Sequence, residues 1–100
     1  MDIKIVKRGT WLYDGTVEKP VDIIALDYDW WYELAKADGM LEPDEDPEPL
    51  GKEGYIYYVR FKRALETEGP NWVDSCGHQE LKEAIKAAEA KVSGGIKWHL

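Results

Sequence analysis

Asp74-Ser75-Cys76-Gly77-His78 gathers an acid, a hydroxyl, a thiol and an imidazole within one short stretch of the chain. A thiol close to a helix N-terminus can have its pKa lowered, and a neighbouring imidazole can serve as its base, which is the chemistry of a cysteine nucleophile. Nucleophile and base need a fixed mutual geometry, however, and closeness in sequence does not supply one. The same residues also read as the approach to a helix, with Asp74 or Ser75 as cap, Gly77 permitting the bend and Cys76 as a small filler. No catalytic residue is assigned on this basis. Cys76 and His78 offer two metal ligands, and His99 adds a third only through folding, whereas a structural zinc site takes four. No metal and no cofactor is expected.

A second group of residues points to binding. Eleven of the twelve aromatic residues are Trp or Tyr, side chains that join an apolar body to a polar tip. The densest run, Tyr28-Asp29-Trp30-Trp31-Tyr32, is interleaved with acid and lies upstream of Glu42-Pro43-Asp44-Glu45-Asp46-Pro47-Glu48-Pro49. Charge follows the same segment. Residues 1–20 and 54–100 each carry a net +1, while residues 21–53 hold 2 positive and 11 negative side chains, a net of -9. A field of that sign repels nucleic-acid phosphates and anionic lipid and steers a basic protein partner or a complementary copy of the chain itself. Trp31, Tyr32, Asp44, Glu45, Asp46 and Glu48 are the candidate partner-binding residues. The same acidity also serves to keep a Trp-rich domain soluble. The carboxylates of 44–48 have the chemistry to hold a hard cation, but Pro47 and Pro49 break their spacing and no Ca²⁺-loop pattern is present. No phosphate-cradling glycine motif occurs either.

Gly54-Tyr55-Ile56-Tyr57-Tyr58-Val59-Arg60-Phe61 resembles, over about eight residues, the aromatic RNP1 strand of RNA-recognition domains. The resemblance implies RNA stacked on tyrosine rings. It departs from the motif at Glu53, where a basic residue belongs, at Ile56, where Gly or Ala belongs, and by one extra residue before Val59. The surrounding charge also opposes RNA, so no nucleic acid is expected as a partner.

These residues need elements to position them. Ile3, Ile5, Trp11 and Tyr13 mark a first strand with a bulge at Gly9. Asp14-Gly15 supplies the two positive-φ positions of a type I′ turn into a second arm that runs through Val21 to Leu26. Pro20 makes that arm an edge at its own position or marks its start. Asp27 or Asp29 caps a helix that runs to about Asp38, with Gly39 beyond it. An acidic, Pro-rich loop at 42–53 follows. Tyr55 to Leu65 alternates as a strand, with Tyr55, Tyr57, Val59 and Phe61 expected on the core face. A short strand is expected around Trp72-Val73-Asp74, a helix over 79–92 with a stripe of Leu81, Ala84, Ile85, Ala88 and Val92, and a closing strand at 96–100.

The order ββαββαβ describes one α+β domain over 1–100. It is expected as a two-layer sandwich of about five mostly antiparallel strands with two helices on one face, ferredoxin-like with an extra N-terminal strand. The single Cys76 fits a reducing compartment, and no signal peptide or membrane-spanning stretch is visible, so a cytoplasmic protein is expected. The functional expectation is a small non-enzymatic interaction module or homo-oligomer. A Cys76/His78 enzyme, RNA binding through 55–61 and a structural subunit of an assembly are the alternatives.

Overall fold

The computed structural model describes residues 3–69 and 72–99. It is an α+β fold with four antiparallel strands and two helices, β1 (Lys4–Tyr13), β2 (Val17–Leu26), α1 (Trp30–Ala37), β3 (Ile56–Arg60), α2 (Leu81–Ala90) and β4 (Lys97–His99). The sheet order is β3-β2-β1-β4. The first three strands lie side by side in chain order and β4 closes onto β1. This meander lacks the interleaved strands of a split-βαβ domain, so the ferredoxin-like arrangement is not found.

The β1–β2 hairpin turns where the sequence requires it. Asp14 and Gly15 both have positive φ, 53° and 71°, and Thr16 N–H donates to Tyr13 C=O at 3.1 Å. The bulge lies between Ile5 and Lys7 rather than at Gly9. Gly9 instead packs against β4, where an added Cβ would come within 2.9 Å of Ile96, Lys97 and Trp98 atoms. Pro20 pairs with Thr10, and β3 meets β2 only along Asp22–Leu26, so β2 is an edge strand at the proline.

The helices lie on opposite faces of the sheet, not on one. Ile24, Leu26, Ile56 and Tyr58 pack with Trp30 of α1 in one apolar cluster. Val21, Ile23, Ala25, Tyr57 and Val59 pack with Ala84 and Ala88 of α2 in another. Successive strand residues point to opposite faces, so β2 and β3 are covered on both sides and every residue of Val21–Leu26 and Ile56–Arg60 is buried. The cause is visible in the apolar run Ile23-Ile24-Ala25-Leu26, which has no polar face to turn to water. Tyr55, Tyr57, Val59 and Phe61 do share a face, but it is one of two core faces.

The strand expected around Trp72-Val73-Asp74 does not form; four strands are found among the described residues. Segment 72–78 runs beside β3 and satisfies its outer edge with a mixture of backbone and side chain. Tyr57 and His78 exchange backbone hydrogen bonds at 2.7 and 2.9 Å, and Asp74 N–H donates to Val59 C=O at 2.8 Å. Ser75 Oγ accepts from Val59 N–H at 2.9 Å, and Asp74 Oδ2 accepts from Phe61 N–H at 2.6 Å and Lys62 N–H at 3.2 Å. Short polar side chains that compete with the backbone in this way break a strand locally. The pair is thus committed to β3 and does not cap α2, whose N-cap is Glu80, with no side-chain hydrogen bond. The same Asp74 carboxylate bends the chain after Arg60, which is why β3 stops there instead of reaching Leu65.

Candidate functional site

Asp29 organises the site. Its Oδ1 accepts the Tyr32 N–H at 3.1 Å, the N-cap bond that starts α1, and its Oδ2 accepts the Glu48 N–H at 2.8 Å. One carboxylate therefore fixes both the helix start and the acidic loop. Beneath it, the buried Tyr58 hydroxyl accepts from Trp30 N–H at 2.8 Å and feels the negative charge of Asp29. Burial, reinforced by Asp29, pushes the Tyr58 phenol well above its usual range, so it stays neutral.

The two adjacent tryptophans diverge by about 100° around the helix. Trp30 enters the core, while Trp31 lies at the surface, 37% exposed, with its indole N–H donated to Ser75 C=O at 2.8 Å. Trp72 joins them from segment 72–78 and is 42% exposed. The three rings meet edge to face, with centroids 4.8 Å (Trp30–Trp31), 5.6 Å (Trp30–Trp72) and 5.9 Å (Trp31–Trp72) apart. Such contacts add about 0.5–1.5 kcal/mol each beyond area burial, and here they hold two half-open rings rigid.

The loop that faces them is tied at several points. Glu45 N–H donates to Glu42 C=O at 3.1 Å, and Glu45 Oε2 accepts from Glu42 N–H at 3.2 Å. Gln79 Nε2 donates to Pro49 C=O at 2.8 Å, and Gly51 N–H donates to Tyr55 C=O at 2.9 Å. Between loop and helix lies a cleft of about 480 Å³. Asp29, Trp31 and Tyr32 form one wall, Glu45, Asp46 and Glu48 the other, and Cys76 and Gly77 complete the lining.

Five of the six candidate residues thus converge on one cavity. Asp44 does not line it and is exposed on the loop. Asp29 and Trp72 were outside the candidate set. Asp29 carried a visible capping signal, whereas Trp72 is masked in sequence by its strand-like neighbours. Among the described residues, four carboxylates and two aromatic rings line the cleft, and no cationic side chain does. The chemistry that fits is a cation on an apolar stem, an alkylammonium or guanidinium group laid against the rings with its charge among the carboxylates.

The other groups with reactive side chains are placed differently. Cys76 is a free thiol, exposed at the cleft. No hydrogen bond joins it to His78 among the described residues. The His78 ring is half-buried and its Nε2 is enclosed with no hydrogen-bond partner among the described residues. Burial is the main cause that lowers the His78 pKa; Lys91 adds to it and Glu83 opposes it. A base with a lowered folded pKa favours the fold above its unfolded value of about 6.5, and that contribution is lost as pH falls below it. Chemical denaturation between about pH 7.5 and pH 5 should show stability declining with acid, with a shallower decline in His78→Gln. Among the described residues, no group of three or more His, Cys, Asp or Glu is arranged to hold a metal ion. No helix among them is long and apolar enough to cross a membrane. Tyr57 and Tyr58 of β3 are buried between the helices, so neither presents a ring face on which a base could stack.

No family model matches the chain, and no curated protein or solved structure is similar enough to it to count as a match.

Proposed function

We propose that this chain is a non-enzymatic interaction domain that receives a basic segment of a protein partner in the cleft between α1 and the loop at 42–53. The observation that carries this reading is the convergence of Trp31 and Tyr32 with Glu45, Asp46 and Glu48 on a cavity that no cationic side chain lines among the described residues. Interfaces favour rigid aromatic anchors, and Trp31 is held by its Ser75 hydrogen bond and two ring contacts. The acidic field of 21–53 adds steering of the partner toward the site. A cytoplasmic location belongs to the same proposal and rests on the single unpaired cysteine.

The test is titration with a short arginine-rich peptide against its glutamate-rich counterpart. Only the basic peptide should bind. Its affinity should fall as ionic strength rises from about 0.01 M to about 0.15 M, where the screening length shrinks from about 30 Å to about 8 Å. Trp31→Ala should cost about 2 kcal/mol of binding, roughly thirtyfold in affinity. Attaching a bulky maleimide at Cys76 should block the cleft. Unchanged binding in Trp31→Ala, and in a variant with Glu45, Asp46 and Glu48 neutralised, would remove this surface from consideration.

A further inference from the structure

The opposite edge of the sheet is built in complementary fashion. β4 pairs with β1 only at Arg8–Thr10, and among the described residues no strand lies beside Ile5 to Lys7 on that side. A groove of about 580 Å³ follows this rim, lined in part by Ile5, Val6, Lys7, Arg8, Leu65 and His99, with no carboxylate side chain among the described residues of its lining. Among the described residues, Lys7 and Arg8 form no ion pair, and neither do Glu45, Asp46 and Glu48. Two unneutralised patches of opposite sign therefore sit on one molecule. In the order β3-β2-β1-β4, the acidic cleft lies by the β3 edge, where segment 72–78 supplies Cys76 and Gly77, and the basic rim lies at the β1/β4 edge.

We propose that the occupant of the basic β1 rim is a second copy of this chain, which presents its acidic cleft. This rests on the reading of the cleft given under Proposed function and names the basic segment as residues around Lys7 and Arg8. Arg8 lays its apolar stem along Trp31 and Tyr32 and places its charge among Glu45, Asp46 and Glu48, while Lys7, which leaves the other face of the strand, adds positive charge at the rim. Because the two patches lie on opposite edges, a two-fold dimer cannot pair both of them at once. The association is head to tail and does not close at two chains. The unpaired stretch Ile5 to Lys7 carries Lys7 and is flanked by Arg8, so it resists pairing with its own like-charged copy, which leaves the acidic surface as its match.

Two variants with complementary defects test this. Lys7→Glu/Arg8→Glu keeps the acidic cleft and lacks the basic rim; Glu45→Gln/Asp46→Asn/Glu48→Gln keeps the rim and lacks the acid. The unaltered chain should show a mass that grows with concentration at low ionic strength in sedimentation velocity and falls back to the monomer in salt. Each variant alone should be monomeric, with association weakened by at least about tenfold. Their equimolar mixture should form a heterodimer that does not grow further. A monomeric unaltered chain at millimolar concentration and low salt overturns the proposal, as does a mixture that stays monomeric. An arginine-rich peptide separates the two readings. If it still binds Lys7→Glu/Arg8→Glu while the unaltered chain stays monomeric, self-association falls and the cleft reading stands. If it binds no form of the protein, the cleft reading falls as well.

Discussion

Asp22→Ala and Arg60→Ala are each expected to destabilise the protein by about 3–5 kcal/mol, enough to unfold much of a domain whose total stability lies near 5–15 kcal/mol. Both side chains are 0% exposed and meet through two parallel bonds, Nε–Oδ1 at 2.8 Å and Nη2–Oδ2 at 2.6 Å. Removing either partner leaves the other charge buried and alone. The pair also carries a loop: Leu65 N–H donates to Asp22 Oδ2, and Arg60 Nη2 donates to Glu66 C=O at 2.9 Å. Yet the arrangement is not optimal, because Arg60 Nη1 is buried without a hydrogen-bond partner among the described residues, a deficit of about 1–3 kcal/mol. The double replacement Asp22→Leu/Arg60→Met should therefore be less damaged than either single variant, while the turn after β3 loosens around Leu65 and Glu66. Urea denaturation of the three variants checks this. Single replacements that cost under about 1 kcal/mol, or a double that costs the sum of both, would show that the pair does not work in this way.

Gly51→Ala should do the most damage to the cleft without touching it. A Cβ at this position would sit 2.0 Å from the Gln79 carbonyl oxygen and 3.0 Å from its carbon, both backbone atoms that cannot rotate away. The loop must therefore lift from segment 72–79, at an overpacking cost of about 1–3 kcal/mol. The Gln79–Pro49 hydrogen bond at 2.8 Å lies in the same contact and should be lost with it. Glu45, Asp46 and Glu48 would then no longer face Trp31 and Tyr32. Binding of the arginine-rich peptide should fall by more than stability accounts for, measured where the variant is still folded. Gly15→Ala provides the control. Its φ of +71° strains the turn, but nothing lies within 4 Å, so it should lower stability and leave binding intact.

Much of the fold was legible where local chemistry dominates. Asp14-Gly15 set the hairpin, and Asp29 and Asp38 bound α1, with Met40 N–H donating to Ala35 C=O at 2.8 Å past Gly39. The stripe of Leu81, Ala84, Ile85 and Ala88 placed α2. The burial of both faces of β2 and β3 was written in their unbroken apolar runs, but alternation in Tyr55–Lys62 drew attention to one face only. Asp22 and Arg60 are 38 residues apart, and nothing local to either announces a buried partner. Segment 72–78 was misread for a different reason. Trp72-Val73 has strand composition, and only the path of β3 turns Asp74 and Ser75 from helix caps into substitutes for a fifth strand. In the site, residue types indicated Trp31, Tyr32 and the loop acids, whereas Trp72 joined them through tertiary packing.

The distal part of the hairpin has no layer beneath it. Residues 12–20 are exposed, with Leu12, Tyr13 and Val17 each at least half open to water, and the molecule is accordingly long, 47 × 27 × 24 Å. Protection of backbone amides against hydrogen exchange should therefore be graded along single strands. Amides of Val21–Leu26 and Ile56–Arg60 should exchange only when the whole domain opens, while those from Leu12 to Lys19 exchange through fraying of the hairpin end. That end is also where the chain can be cut or lengthened at little cost. A peptide inserted between Asp14 and Gly15 would meet neither core cluster, the cleft nor the β1 rim, and would mark the molecule for observation without disturbing what it binds.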